Sequence, residues 1–320
     1  MSIELILAPL QGFTDAVFRN IYSRHFSGLD SAVAPFISTM DQKRLKPSRI
    51  RDILPENNKN LKIIPQILSN RAEDFIFLAN YISELGYDTI NWNLGCPHTK
   101  ITRKKKGSGF LPFPMEIDAF LEKVCQKIQC RLSVKVRLGK RDKTDIFNLL
   151  PVFNQYPLKE IIVHPRTALQ MYKGCADLSA FLEIKKKTDH CLVYNGDITS
   201  SENIRIILSE SPDTEKFMIG RGILADPFLP GRIKNMQINT SESHWKIKNF
   251  HDDLFSAYDK IFSGPAHVIG RMKGFWSFLG PSFEGDPKAL KKVFKTKTKA
   301  EYIRQTAHFF SSELPFSPSE

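Results

Sequence analysis

Polar side chains stand where apolar runs of this sequence end, and together they could bind an anionic ligand and transfer a proton. In chain order they are Gln11, Gln66, Asn93, Cys96, Lys135, Arg137, His164, Asn195, Asp197 and Arg221. Buried polar groups need partners, so a set that converges on one place indicates a ligand or a water network. Any single member is equally well explained by a structural hydrogen bond, and the indication comes from their number.

Cys96 is the candidate proton donor. It lies between Gly95, which frees the backbone, and Pro97, which ends the preceding strand. A thiol with an ordinary pKa near ~8.5 is protonated at neutral pH and can act as a general acid. The alternative, an inert core cysteine, is our interpretation of the other four. These are Cys125, Cys130, Cys175 and Cys191.

Two glycine-containing turns are candidates for binding a phosphate group. One is Asn195, Gly196 and Asp197, and the other is Gly220, Arg221 and Gly222. Backbone N–H groups in such turns and at a short helix can hold an anion, and an arginine adds charge. Tight turns that every barrel needs are the alternative explanation.

Eight β-type runs, separated by helix-like segments, must position these residues. The runs are Leu5–Leu10, Ser31–Ile37, Ile63–Leu68, Thr89–Leu94, Leu132–Leu138, Glu160–His164, Cys191–Asn195 and Lys216–Ile219. Most are apolar on both faces, and their alternation with helices over roughly 230 residues predicts an α/β fold, a (β/α)8 TIM barrel. A doubly wound open sheet is the alternative, although no GxGxxG follows the first run. Pro35 and Pro65 cannot donate to a ladder, so we expect strand starts or bulges there.

The remainder of the chain is predicted to be a small helical domain. Residues 235–244 are polar and indicate a linker, and four helical segments follow between residues 245 and 311. We therefore expect a catalytic barrel over residues 1–240 and a helical domain over 241–320.

Composition limits the class of protein. The 320 residues carry a net charge of +12, and no run of 18 apolar residues predicts a membrane span. The N-terminus does not resemble a signal peptide, and five scattered cysteines fit a reducing, cytoplasmic setting. No CxxC or HExxH spacing suggests a metal site. We expect a cytoplasmic protein without metal that acts as a monomer.

The excess positive charge falls on the loops that follow the strands. Lys43, Arg44 and Lys46 follow the second run, and Lys104, Lys105 and Lys106 follow the fourth. Solubility alone could explain one basic loop, but several at the same end of a barrel, beside a lysine-rich helical tail, indicate a polyanion such as nucleic acid.

Taken together, these motifs resemble those of the tRNA-dihydrouridine synthases. The set comprises residues 8–15 (APLQGFTD), 93–97 (NLGCP), 135–137 (KVR), 164–167 (HPRT) with Gln170 and Tyr172, 195–197 (NGD), 219–222 (IGRG) and 271–273 (RMK). Their order and spacing cover the barrel and extend into the tail. Departures are Leu10 for a usual Met, Leu178 for a usual Trp, and a more basic and bulkier segment at 103–110.

The resemblance implies an FMN-dependent enzyme that reduces the C5=C6 bond of a uridine in folded RNA, most simply tRNA, with NADPH as reductant. On that basis Cys96 gives a proton to C5 while flavin N5 gives hydride to C6. The implied cofactor-binding residues are Pro9, Leu10, Gln11, Gln66, Lys135, His164, Asn195, Gly196, Asp197, Gly220 and Arg221. The implied RNA-binding residues are Asn93, Arg137, Arg166, Lys104, Lys105, Lys106, Arg271 and Lys273.

Three other interpretations stay open at this point. The chain could be an FMN barrel that acts on a small pyrimidine, as dihydroorotate or dihydropyrimidine dehydrogenases do, but a small substrate does not need the basic rim or tail. It could be a dihydrouridine synthase that acts on ribosomal RNA. It could also be a non-catalytic RNA-binding module on a degenerate barrel, which the intact Cys96, Lys135 and His164 argue against.

Overall fold

Ten strand segments form the wall of a parallel barrel. The computed structural model describes residues 3–39, 47–236, 243–285, 287–312 and 314–318. The strands are β1 (Glu4–Leu7), β2 (Ser31–Val33), β3 (Ile37–Ser38), β4 (Lys62–Ile64), β5 (Gln66–Leu68), β6 (Thr89–Leu94), β7 (Arg131–Gly139), β8 (Ile161–Thr167), β9 (Leu192–Tyr194) and β10 (Lys216–Ile219).

These segments close into a barrel of eight strands, as the sequence predicts. We call each of the eight a stave, because two of them consist of two shorter segments. The sheet order runs β3-β5-β6-β7-β8-β9-β10-β1-β2-β4. The segments β2 and β3 are two parts of the second stave, interrupted around Pro35, and β4 and β5 are two parts of the third, interrupted at Pro65. Ten segments with two split staves therefore make eight staves. Because β2 pairs with β4 and β3 with β5, the ring has no open edge.

Fourteen α-helical segments of the described residues surround and follow this ring. They are α1 (Ala16–His25), α2 (Pro47–Ile50), α3 (Ala72–Glu84), α4 (Thr99–Thr102), α5 (Pro114–Cys125), α6 (Thr144–Phe153), α7 (Leu178–Lys185), α8 (Ser201–Glu210), α9 (Arg221–Ala225), α10 (Leu229–Ile233), α11 (Ser243–Ile261), α12 (Pro265–Leu279), α13 (Pro287–Lys295) and α14 (Lys299–Ser311). None of these helices is both long enough and apolar enough to cross a membrane.

The regular alternation of strand and helix fails after the second stave. Residues 47–57 form only α2 and two short 3₁₀ turns. The predicted basic residues Lys43, Arg44 and Lys46 lie outside the described residues. Arg19 of α1 holds this segment, since its guanidinium donates to Asp52 Oδ2 at 3.1 Å and to Asn58 Oδ1 at 2.7 Å. A buried arginine therefore replaces the packing that a full helix would provide.

Successive side chains along each strand point alternately out of and into the barrel, so the protein has two separate hydrophobic cores. Outward side chains such as Trp92 pack against the helices, where its ring stacks on Phe120 of α5 at 4.0 Å. Inward side chains form a smaller cluster inside the barrel. It contains Ile6, Ala8, Val33, Ile64, Ile162, Val193 and Met218. The inward positions of the fourth and fifth staves, together with Gln66 of the third, are instead polar, and this asymmetry creates the site.

The helices after residue 243 pack on the barrel through aromatic rings. Phe18 of α1 stacks on Phe275 of α12 at 5.5 Å, and Phe13 makes edge contacts with Phe275 and Phe278. One hydrophobic cluster includes residues of both parts. The predicted boundary at residue 240 lies outside the described residues and stays a prediction.

Candidate active site

The thiol of Cys96 is held at the carboxyl end of β6 by side chains of its own stave and of a following loop. Asn93 Oδ1 accepts hydrogen bonds from the backbone N–H groups of Gly95, at 3.1 Å, and Cys96, at 2.9 Å. Ser108 donates its hydroxyl to Cys96 O at 2.8 Å. Gly107 has φ +57°, and a Cβ there would lie 2.8 Å from Cys96 O. The turn that carries the thiol is therefore fixed from both sides.

Burial and nearby cations act on Cys96 in opposite directions. Burial, the larger effect, raises the pKa of the thiol, while Arg137 and Lys135 lower it. The net pKa is above its usual value, so the group is protonated at neutral pH. The same cations would stabilise the thiolate that remains after the proton has left, and these are the properties of a general acid.

A chain of buried amides connects the third, fourth and fifth staves inside the barrel. Asn93 Nδ2 donates to Gln66 Oε1 at 2.8 Å, and Gln66 Nε2 donates to Asn91 Oδ1 at 2.7 Å. Asn91 Nδ2 in turn donates to Ser133 Oγ at 2.8 Å. Gln66 and Asn93 thus lie together as predicted. Asn91 and Ser133 were missed, although polar residues at inward positions of apolar strands were a usable signal.

Lys135 is a half-buried cation with no hydrogen-bond or ion-pair partner among the described residues. It lies beside Asn93 in the strand register. Burial, followed by repulsion from Arg137, lowers its pKa to about 7. Burying an ammonium group without a counter-charge is costly, so this position is suited to an anionic or strongly accepting ligand.

His164 is buried beside Arg137 in the register between β7 and β8. Burial and four nearby cations lower its pKa well below the usual value, so the imidazole is neutral. Arg166 Nη1 lies 3.3 Å from His164 Nε2. Because the guanidinium can only donate, Nε2 accepts and Nδ1 carries the proton. His164 can therefore donate from Nδ1 to a ligand.

Arg166 is only 1% exposed and is bound to Asp197. Its two terminal nitrogens donate to the two Asp197 carboxylate oxygens at 2.9 and 2.5 Å, and its Nε is buried without a partner. Burial raises the pKa of Asp197, but hydrogen bonds from Arg166 and from Ala176 N, with the charges of Arg166 and Arg221, lower it by more, so that it lies below its usual range. Arg166 was expected to contact RNA, but this pair leaves it almost no accessible surface for such a contact.

The turns after β9 and β10 lie together at the mouth. Arg221 Nη2 donates to Asp197 Oδ1 at 3.3 Å, and Asn195 Nδ2 donates to Met218 O at 2.7 Å. A Cβ at Gly196 would lie 2.7 Å from the Ala176 side chain, so this position requires glycine. Gly220 lies across from the first stave, since a Cβ there would contact Ala8 and Leu10. The predicted phosphate-binding turns are therefore adjacent.

The end of the first stave forms a compact turn beside these groups. Thr14 Oγ1 donates to Ala8 O at 2.9 Å and accepts from Leu10 N at 2.8 Å, which fixes the segment that contains Pro9. Gln11 is exposed, and Gly12 has φ +84°. The structural role of Thr14 was not predicted.

Tyr172 closes one side of the mouth. Its ring centroid lies 4.3 Å from the Arg221 guanidinium, 5.5 Å from that of Arg137 and 6.2 Å from the His164 ring. Arg137 is 2% exposed and donates to Thr167 O at 2.8 Å. A cationic cluster thus surrounds an aromatic ring directly above the buried amides.

Several residues expected to contact RNA have partners within the protein. Lys105 forms an ion pair with Glu116 at 2.5 Å and lies 3.7 Å above the Phe113 ring, while Lys104 is exposed and Lys106 is half-buried. Arg271 donates to Gly12 O and forms an ion pair with Asp15 at 3.0 Å. Lys273 donates to Thr296 O. Arg271 thus connects the helices to the barrel, and Lys273 connects two helical segments.

No group of three or more His, Cys, Asp or Glu side chains within the described ranges is arranged to hold a metal ion.

Comparison with known proteins gives a consistent result. A family model described as dihydrouridine synthase matches residues 6–268. The tRNA-dihydrouridine synthase B of Pasteurella multocida is 28% identical over 228 residues, which cover 71% of this chain and 67% of that protein. A probable tRNA-dihydrouridine synthase of Rhodobacter capsulatus is 28% identical over 268 residues, covering 83% and 82% of the two chains.

A third relative extends through most of the helical tail, and a solved structure shares the fold. The probable tRNA-dihydrouridine synthase 2 of Bacillus subtilis is 27% identical over 310 residues, covering 92% of this chain and 90% of that protein. A morphinone reductase variant in complex with tetrahydroNAD superimposes with a TM-score of 0.50 and 10% identity, covering 72% of this chain and 86% of that one. The structural match supports the barrel fold alone.

Proposed function

This chain belongs to the dihydrouridine synthase family, and we propose that it reduces the C5=C6 bond of a uridine in tRNA to 5,6-dihydrouridine, with FMN as cofactor and NADPH as reductant. The observation that carries the proposal is a thiol, Cys96, fixed by Asn93 and Ser108 at a mouth where Lys135 has no partner among the described residues.

The charges at the mouth fit a cofactor with a phosphate group and an electron-accepting ring. Four cations, Lys135, Arg137, Arg166 and Arg221, lie close enough to His164 to lower its pKa, whereas Asp197 is paired with Arg166 and Arg221. Arg166 Nε is a buried donor without a partner. We assign Lys135, His164 and Gln66 to the ring side of FMN, and Arg221 with the turns at Asn195–Asp197 and Gly220 to its ribityl and phosphate side. Pro9, Leu10 and Gln11 would border the ring.

When bound, FMN supplies the hydride that adds to C6 of the uracil ring, and NADPH restores the reduced cofactor. Cys96 completes the reduction by giving its proton to C5, so the S–H bond breaks as the C5–H bond forms. Lys135 and Arg137 stabilise the resulting thiolate, which regains a proton from solvent. Asn93, whose second Nδ2 hydrogen has no acceptor among the described residues, would orient the uracil.

Positive charge on the rim supports RNA as the substrate rather than a small pyrimidine. Arg103 and Lys104 are exposed beside the Cys96 turn, and we assign them to phosphate contacts. Arg166 would position Asp197, and Arg271 would hold the helices on the barrel. A uridine in folded RNA must leave its base stack before its C5 can reach the Cys96 thiol.

Two measurements test the proposal. The visible spectrum of the purified protein should show bound flavin that NADPH bleaches. Dihydrouridine should disappear from one or more tRNA positions in cells that lack the protein and return with the gene. Loss of dihydrouridine from ribosomal RNA alone would show that ribosomal RNA is the substrate. Loss of dihydrouridine from neither RNA would overturn the proposal.

A further inference from the structure

The loop after β8 exposes a cluster of apolar side chains to solvent. Ten large hydrophobic side chains of the described residues are exposed, and three of them lie within four consecutive positions. Leu169 is 74% exposed, Met171 42% and Tyr172 46%. Single exposed apolar residues are ordinary, but a cluster indicates an interaction surface. Leu169 and Met171 belong to neither hydrophobic cluster of the protein.

The backbone of this loop is held in place. Gln170 Oε1 accepts from Thr167 N at 2.7 Å, and Leu169 N donates to Lys140 O at 3.1 Å. Met171 has φ +54°, and its N–H donates to Ala168 O at 3.1 Å. A fixed loop presents its side chains to a partner at a small cost in conformational entropy.

Tyr172 already has neighbours, whereas the two aliphatic side chains do not. The Tyr172 ring lies between Arg221 and Arg137 at the mouth. Leu169 and Met171 stand next to it in the chain and lack any such packing. They therefore form the part of the loop that is free to contact an RNA bound at the mouth.

Charge around the pair favours a polyanion. Arg141 and Lys173 are exposed on either side, and Lys140 bonds to the loop through its carbonyl group. Apolar side chains within a cationic surface match nucleic acid, in which phosphates surround an apolar base stack.

We propose that Leu169 and Met171 form an apolar wedge that enters the RNA base stack next to the extruded uridine. The inference rests on the proposed function, because a uridine reduced inside the barrel must leave a gap in its stack. Extrusion costs stacking energy, and side chains inserted at a base step recover part of it. The wedge would act on uridine extrusion, not on the reduction.

The first test replaces both residues, Leu169→Ser with Met171→Ser, and compares two substrates. One is a tRNA with the intact neighbour of the modified uridine, and the other carries an abasic neighbour that is already unstacked. We expect kcat/KM on the intact tRNA to fall about 10- to 100-fold, which is about half of the free energy that full burial of two such side chains would give. On the abasic substrate the loss should be less than about twofold, because no stack has to be opened.

The control is Met115→Ser with Ile206→Ser, which replaces an exposed methionine on α5 and an exposed aliphatic residue on α8. This control should leave kcat/KM unchanged on both substrates. Flavin content and NADPH-driven bleaching should be normal in both double variants. Equal losses of the wedge variant on both substrates would overturn the proposal, since a loop that merely supports the fold would behave that way.

A second experiment reads out binding without turnover. A photo-crosslinking phenylalanine analogue at position 169 should attach to a nucleobase of tRNA next to the modified uridine. Attachment to anionic vesicles or to protein, with none to RNA, overturns the wedge even if dihydrouridine forms. Attachment to RNA by a protein that forms no dihydrouridine overturns the proposed reduction and leaves the wedge as an RNA contact.

Discussion

Two side chains at the mouth have pKa values displaced in opposite directions by the same burial. Removal from water disfavours charge, so Cys96 holds its proton more tightly and Lys135 less tightly than in water. Cys96 is therefore ready to donate a proton, and Lys135 is ready to acquire one when an anionic ligand arrives. Each property leads to a separate measurement.

We expect Cys96→Ala to separate proton transfer from hydride transfer. The variant should retain its flavin, bleach normally with NADPH and bind RNA. Its rate of dihydrouridine formation should fall by about 10²–10⁴, the usual contribution of a positioned general acid. Cys125→Ala and Cys191→Ala should retain activity. A wild-type rate would remove Cys96 from the reaction, and loss of flavin would make it a packing residue of the cofactor site.

FMN affinity should fall as pH rises above 7. In the protein without cofactor the Lys135 pKa is about 7, and a cofactor ring that accepts a hydrogen bond from the ammonium raises it because the bond favours the charged form. Above pH 7 binding must therefore take up a proton, and affinity weakens by up to about tenfold per pH unit. FMN affinity should be measured between pH 7.5 and 9. This range lies above the second phosphate pKa of about 6, so the FMN phosphate does not contribute to the pH dependence.

The control for this titration is Lys135→Met, which is similar in length but uncharged. It should bind FMN weakly at every pH and show no slope. A wild-type affinity that stays constant over this range would show that Lys135 does not respond to the cofactor.

Sequence reasoning predicted that Cys96, Asn93 and Gln66 lie together, but it did not predict all of the contacts at the mouth. Cys96, Asn93 and Gln66 follow from their places at strand ends. The pairing of Arg166 with Asp197 does not, because the two lie 31 positions apart and meet only through an Asp197 backbone with φ +42°. Such a contact depends on the loop conformation, which residue types alone do not specify.

At the scale of elements, the segment from Cys96 to Phe110 is the critical loop. After α4 the chain comes back to the Cys96 turn. There Ser108 and Gly107 contact the carbonyl group of Cys96. The position of the thiol therefore depends on residues that themselves carry no reactive group.

Gly107→Ala should lower kcat for dihydrouridine formation about tenfold or more, since a displaced reacting group loses its alignment. Flavin reduction by NADPH should be unaffected. Gly86→Ala is the matched control, because Gly86 also has positive φ (+93°) but a Cβ there meets nothing within 4 Å. Both variants carry backbone strain, so an equal fall in kcat would show that strain, and not the contact with Cys96, is responsible.

The basic residues of the same loop lead to a separate prediction about the salt dependence of RNA binding. Replacing Lys104, Lys105 and Lys106 together with Ala should weaken RNA binding and reduce its salt dependence by up to about three phosphate contacts. Glu116→Gln should act in the opposite direction by releasing Lys105 from its ion pair. NADPH oxidation should not respond to either change. An unchanged salt dependence in the triple variant would mean that these lysines do not contact RNA phosphates.

Element boundaries were predicted where local signals are strong. The limits of β6 and β10 match the sequence prediction, because each is an apolar run that ends at a glycine or polar turn. The splits in the second and third staves follow from Pro35 and Pro65. The lack of a full-length helix within residues 47–61 was not foreseen, since Arg19 holds this segment through hydrogen bonds to residues 33 and 39 positions away.

At the scale of the molecule, the helices and the barrel share one hydrophobic cluster. Phe275→Ala should therefore lower the free energy of unfolding of the whole chain, by about 3–5 kcal/mol. Far-ultraviolet circular dichroism and flavin release should change in one coincident transition. Ile303→Ala, at an exposed position of α14, should change stability little. Two separated transitions would instead mean that the helices unfold on their own.

The closed ring has a consequence for the time course of synthesis on the ribosome. Strand β1 pairs with β2 on one side and with β10, at residues 216–219, on the other. Its second neighbour is therefore translated almost 200 residues after the first, or about 10–40 s later at about 5–20 residues per second. During that interval the nascent chain must carry an apolar strand with one open edge, which is the kind of surface that chaperones bind.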